Sequence, residues 1–269
     1  MTNLVDCVGY LLKAMRANAV PLFDRLVAPL FAPFLAPGQP PTLRHNAICL
    51  VDDLIEFGGA AAHKYIAPVM PTLIANLDAE EPYLRQASVY GILQVVKHAP
   101  RVYAEVHSQV TPKLVTMATA ADAASDENEL VTENVVSALG SIATGMSSGG
   151  EQASLTQLWL SKLPLREDEV EAKVVHEQLV ALVEGSHPAI VADNFAHLPL
   201  VLSAFGAILE AVGESGVGEA ESLVEANTRD RMVAVIKAFQ AQLPGPQVAN
   251  AWAALTASQQ AAVQSAVTE

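Results

Sequence analysis

The chain has 269 residues, 51% of them apolar and 5% aromatic, with a formal net charge of −14. Few aromatics and much Ala, Leu and Val suit packed helices rather than a β-sandwich, and no apolar run reaches the roughly 18 residues of a membrane span. The acidity repels nucleic acid and anionic lipid and either favours basic partners or, as charge alone suggests first, forms a solvated face that keeps an apolar solenoid soluble; it lies in the second half, since residues 1–120 are balanced, whereas 121–184 hold twelve acidic side chains against three basic.

The N-terminus has no basic start followed by a pure apolar core, so it does not read as a signal peptide. Residues 3–17 predict a helix with Leu4, Cys7, Val8, Leu11, Leu12 and Met15 on one face. Its place in the pattern below makes it a second helix without a first, an orphan over residues 1–18 from a truncated repeat. Cys7 and Cys49 are expected to be buried, reduced thiols. Residues 19–36 predict a first helix segmented by Pro29 and Pro33, and the Pro-Gly-rich run from Ala36 to Pro41 breaks it. Its partner runs from about Pro41 to Phe57, with Gly58-Gly59 as a C-cap.

A second hairpin covers Ala62 to Ala99, its apolar residues at Tyr65, Ile66, Val69, Met70, Leu73, Ile74 and Leu77. Pro82 stands as the first residue of its second helix. A third pair follows at 102–120 and 127–145, with a capping box at Asp126 and Glu129. A fourth covers 153–163 and, opened by Asp168, 169–184. A fifth covers 197–212 and 219–242, joined by a glycine-rich linker at 213–218. Two short helices fill 246–269, the last opened by a capping box at Thr256 and Gln259.

The hairpins repeat. Val69-Met70-Pro71-Thr72-Leu73 recurs 41 residues on as Val110-Thr111-Pro112-Lys113-Leu114, with a looser copy at Val27 to Phe31. Leu43-Arg44 recurs as Leu84-Arg85, again 41 apart. A two-helix unit of this period in both helices defines an all-α, HEAT-repeat α-solenoid. The expectation is one right-handed superhelix of five hairpins over 19–245 between the orphan helix and the C-terminal pair.

No constellation supports catalysis, a metal or a cofactor. The seven histidines form no His-Glu-x-x-His and pair with no Cys-x-x-Cys. The stretch Gly213 to Gly218 lacks the Lys-Ser/Thr of a phosphate loop and follows a helix. The carboxylates Glu167, Asp168, Glu169 and Glu171 match the charge preference of a helix N-terminus. The chain reads as a non-enzyme. On the second helices, Asp52, Asp53, Glu56, Glu133, Asn134, Glu169, Glu171 and Glu177 are the candidates to face a basic ligand on a concave surface. A packing role is the alternative for Asp52, Asp53 and Asn134.

Several stretches resemble one family. The run Leu158-Trp159-Leu160-Ser161-Lys162-Leu163-Pro164-Leu165-Arg166-Glu167-Asp168-Glu169-Val170-Glu171-Ala172 resembles a Trp-Leu-x-x-Leu-Pro-Leu-x-Glu-Asp-x-x-Glu-Ala segment of the importin-β family, importin-β3 (importin-5) type. Val51 to Glu56, Leu84 to Gly91, Thr132 to Asn134 with Ser137 to Gly140, Ser186 to Pro188 and Ser258 to Ala262 resemble it collinearly. The resemblance implies the C-terminal HEAT region of a nuclear transport receptor, a monomer that shuttles between cytoplasm and nucleus with basic protein cargo. It implies Phe-Gly repeats of nucleoporins and the GTPase Ran as further partners, the main Ran site lying in N-terminal repeats absent from this sequence. A HEAT scaffold or adaptor without transport activity of its own is the alternative.

Overall fold

The computed structural model describes residues 2–219 and 223–268, and every regular element among them is helical. The fold is an all-α stack of antiparallel hairpins of the HEAT type. By internal contacts the chain forms two units, Met1–Ser141 and Ile142–Glu269.

In the first unit α1 (Thr2–Met15) leads into a broken first helix. That helix comprises a 3-10 turn (Arg16–Ala19), α2 (Val20–Leu22), a π turn (Phe23–Val27), α3 (Ala28–Phe31) and a second 3-10 turn (Ala32–Leu35). Pro21, Pro29 and Pro33 each remove a backbone donor, which accounts for the segmentation. Its partner is α4 (Pro41–Phe57). The next hairpin is a 3-10 turn (Gly59–Tyr65) continued by α5 (Ile66–Asn76), then α6 (Pro82–His98). Next come α7 (Pro100–Thr119) and α8 (Glu129–Gly145), which crosses the boundary between the units. The second helices α1, α4 and α6 lie side by side, and α5 packs on α6 and α7.

The repeated motif is a core motif. Val69, Leu73, Val110 and Leu114 are buried, and Phe31 fills the Leu position in the looser copy, while Pro71 and Pro112 face outward. The repeated Leu-Arg has a second use. Arg85 donates to the carbonyls of Ala79 and Glu80 (2.7 Å each) and to Asn128 Oδ1 (2.5 Å), and Arg44 donates to Asn76 Oδ1. Each arginine thus ties its helix to a neighbouring turn.

In the second unit α9 (Gly149–Ser161) and α10 (Glu169–Glu184) form the first hairpin. Then come α11 (Pro188–Phe195), α12 (Leu198–Glu219), α13 (Ala226–Gln242), α14 (Gly245–Ala253) and α15 (Ala257–Thr268). α10 packs on α13, and α12 packs chiefly along α15 and α14.

Three local expectations are corrected. The inward face of α1 is Val5, Gly9 and Leu12, and Leu4, Cys7, Leu11 and Met15 are exposed, because Gly9 lets α4 approach on that side. α8 begins at Glu129 rather than 127, after a turn held by Asn128, whose side chain donates to the carbonyl and carboxylate of Asp122. α12 continues through 213–218 despite three glycines, each of which costs a helix about 1 kcal/mol relative to alanine. Residues 220–222, where the expected helix 219–242 begins, lie outside the described residues. α11 is an element the sequence did not suggest. It is short, and Asp193, Asn194 and Phe195 interrupt it with positive φ.

Candidate protein-binding surface

Asp52 and Asp53 sit back to back on α4, each seated on a glycine of a neighbouring second helix. A Cβ on Gly91 of α6 would stand 2.4 Å from Asp52 Oδ1, and one on Gly9 of α1 would stand 2.4 Å from Asp53 Oδ2. Only glycine leaves room for these carboxyls between the helices. Asp52 is 3% exposed and its Oδ1 has no hydrogen-bond partner. Burial above all, then the Asp53 and Glu56 charges, hold its pKa well above the carboxylate range. Asp53 is half-buried, and burial and the Glu56 charge raise it to about 6 against a partly offsetting Lys13. One turn on, Glu56 accepts a hydrogen bond from Tyr90 of α6 at 2.7 Å.

The remaining candidates divide in the same way. Asn134 is buried on α8 and donates to the Leu130 carbonyl (3.0 Å), while Glu133 beside it is half-buried. Glu171 is buried on the first turn of α10. Its amide donates to Asp168 Oδ1 at 3.0 Å, which makes Asp168 the N-cap. Glu169 and Glu177 are exposed. Asp52, Asn134 and Glu171 are therefore buried, whereas Glu169 and Glu177 offer carboxylates to solvent.

Charge on α10 is also met from within. Arg231 of α13 bridges Glu177 and Glu184, and Lys173 pairs with Glu225 at 3.2 Å. The Arg231 hydrogen bonds hold the Glu184 carboxyl below its ordinary pKa and raise the guanidinium. These partners were invisible in the sequence, since 47 residues separate Arg231 from Glu184.

In the family-like run around Trp159 several residues serve packing. Trp159 and Leu165 are buried, and Asp168 caps α10. His176 lies fully buried beneath the turn between α9 and α10. The Leu165 amide donates to its Nε2 (3.2 Å), so the ring proton is on Nδ1, which donates to the Leu223 carbonyl (2.7 Å). Burial takes this imidazole down to about 4.

On the first-helix side of the first unit, a groove of about 470 Å³ runs between α5 and α7. It is lined by Met70, Pro71, Ile74, Val102 and Val106, with the Asp78–Lys113 ion pair at its edge. Among the described residues no three His, Cys, Asp or Glu side chains are grouped to hold a metal ion, and no helix is long and apolar enough to cross a membrane. Cys7 and Cys49 are free, and Cys7 is exposed rather than buried.

Stacked antiparallel hairpins place the fold in the class of all-α HEAT-repeat proteins. No family model matches the chain. It is 25% identical over 219 residues to a probable importin-5 homolog of Dictyostelium discoideum, covering 78% of this chain and 20% of that protein. It is 25% identical over 194 residues to importin subunit beta-3 of Saccharomyces cerevisiae, covering 72% of this chain and 17% of that protein. The chain is thus related to the importin-β family, and it spans about a fifth of the length of the curated relatives it matches.

Proposed function

We propose that the chain is a cargo-binding HEAT-repeat segment of a nuclear transport receptor, corresponding to the C-terminal region of an importin-β3 type protein. The carrying observation is the similarity to two importins along some three quarters of the chain. It binds basic protein segments reversibly on the second-helix faces, without catalysis. Glu56, Glu133, Glu169 and Glu177 are the exposed or half-exposed carboxylates that meet the ligand, and Asp53 contributes charge once deprotonated. The groove between α5 and α7 suits the aromatic side chains of nucleoporin Phe-Gly repeats, which accompany passage between cytoplasm and nucleus. Ran is a partner of the whole receptor, met chiefly outside this segment.

A binding titration tests this reading. A fluorescent lysine- and arginine-rich import-signal peptide is compared with a version whose basic residues are replaced by neutral ones. The basic peptide is expected to bind at least about tenfold tighter at low ionic strength. Equal binding of the two at moderate salt sinks the proposal.

A further inference from the structure

One side of α10 carries an unbroken exposed stripe. Val170, Val174, Glu177, Ala181 and Glu184 recur at helical spacing down the length of the helix, and all five are exposed. The first half is aliphatic, with Val170 77% and Val174 44% exposed. The second half is acidic, and Arg231 lies across it. Its guanidinium reaches Glu184 Oε2 at 2.7 Å through Nη2 and at 3.2 Å through Nε, and Glu177 Oε1 at 3.3 Å through Nη1. The cluster is open to solvent and hence to a competing cation. α10 and α13 also have the Lys173–Glu225 pair and a buried seam between them, so their packing does not depend on Arg231.

We propose that this stripe is a docking surface and that Arg231 is its built-in competitor. The occupant is a segment of another protein that lays aliphatic side chains on Val170 and Val174 and an arginine on Glu177 and Glu184, displacing Arg231. The inference rests on the basic-protein reading above and sharpens its partner. Charge complementarity identifies the occupant, since the protein's own arginine already demonstrates that the two carboxylates hold a guanidinium. The aliphatic and acidic halves are centred roughly 13 Å apart along the helix, about four residues of extended chain. Arg231 also sets selectivity. A merely basic segment exchanges one guanidinium for another and gains little, whereas one that also covers the valines gains apolar burial.

Fluorescence anisotropy on the full chain tests this with a labelled peptide of two leucines, a two-residue Gly-Ser spacer and two arginines. Control peptides carry citrulline for arginine or serine for leucine. Arg231→Ala is expected to bind the Leu-Arg peptide about threefold tighter or more at low salt, and to lose part of the preference over the leucine-free peptide. Val170→Ser with Val174→Ser is expected to weaken the Leu-Arg peptide by a similar factor. If Arg231→Ala melts early by circular dichroism, Arg231→Gln takes its place, with the same gain expected. No gain in affinity, while the unaltered chain still prefers arginine to citrulline, overturns the competitor and leaves the basic-protein reading intact. No preference for arginine in any form of the protein removes both.

Discussion

A fully buried histidine and a fully buried aspartate make opposite demands on pH. His176 titrates near 4 in the fold against about 6.5 when unfolded. The unfolded chain therefore takes up the proton first as pH falls. The stability this neutral imidazole provides is complete above about pH 6.5 and is lost on descending to about pH 4, roughly 3 kcal/mol over the window. Both tryptophans, Trp159 and Trp252, belong to the second unit, so their fluorescence during urea unfolding reports on it. His176→Gln is expected to be less stable at pH 7.5, with the gap to the parent closing by pH 4.5. A gap independent of pH would mean that the ring acts by shape alone. Asp52 has the opposite sign. Its folded pKa lies above the unfolded 3.8, so the fold loses stability as pH rises from about 4 through the folded value. Asp52→Asn removes that penalty and is expected to exceed the parent in stability at pH 8 and to match it near pH 4. The sequence left Asp52 between a groove carboxylate and a packing role, and His176 looked like any scattered histidine, because the contacts that bury them, with Gly91 and Leu223, lie far along the chain.

At the scale of elements, what repeats locally was readable and what depends on a neighbour was not. The hairpins from Pro41 to Thr119 follow from period and proline placement, and their core positions Val69, Leu73, Val110 and Leu114 are buried as the spacing predicts. The terminal cap was equally legible. Thr256 and Gln259 exchange backbone-to-side-chain hydrogen bonds at 3.0 and 3.2 Å, satisfying two amides at the start of α15. Thr256→Ala is expected to cost about 1 kcal/mol. It should also raise amide exchange in the first turn of α15 and leave α10 unchanged. Unaltered exchange there would show that α15 is held by its packing on α12 and α13 without the cap. The face of α1 was misread because amphipathic spacing ranks side chains by apolarity and gives no weight to Gly9, which here sets the approach. The continuation of α12 through 213–218 was not legible either, since glycines suggest a break although each costs a helix only about 1 kcal/mol relative to alanine.

At the scale of the molecule, charge is graded along the chain. The unit Met1–Ser141 carries fourteen acidic and nine basic side chains, and Ile142–Glu269 carries fifteen and six. The sequence made this gradient plain, though not that Arg231 and Lys173 spend part of it internally. Long-range attraction depends on summed charge rather than on which pairs touch, so the second unit should steer a basic partner more strongly. Exposed charges act over about 30 Å at 0.01 M salt and only about 10 Å at 0.1 M. Raising salt between these limits is therefore expected to slow association of a basic peptide several-fold, with dissociation changed much less. Position can be separated from total charge by neutralising two exposed carboxylates in each unit. Glu167→Gln with Glu169→Gln should lower the association rate at 0.01 M salt by about twofold more than Glu80→Gln with Glu105→Gln, and the difference should vanish at 0.3 M. Stopped-flow fluorescence with the labelled import-signal peptide measures both. Equal slowing by the two pairs would assign the attraction to net charge and remove the second unit's advantage.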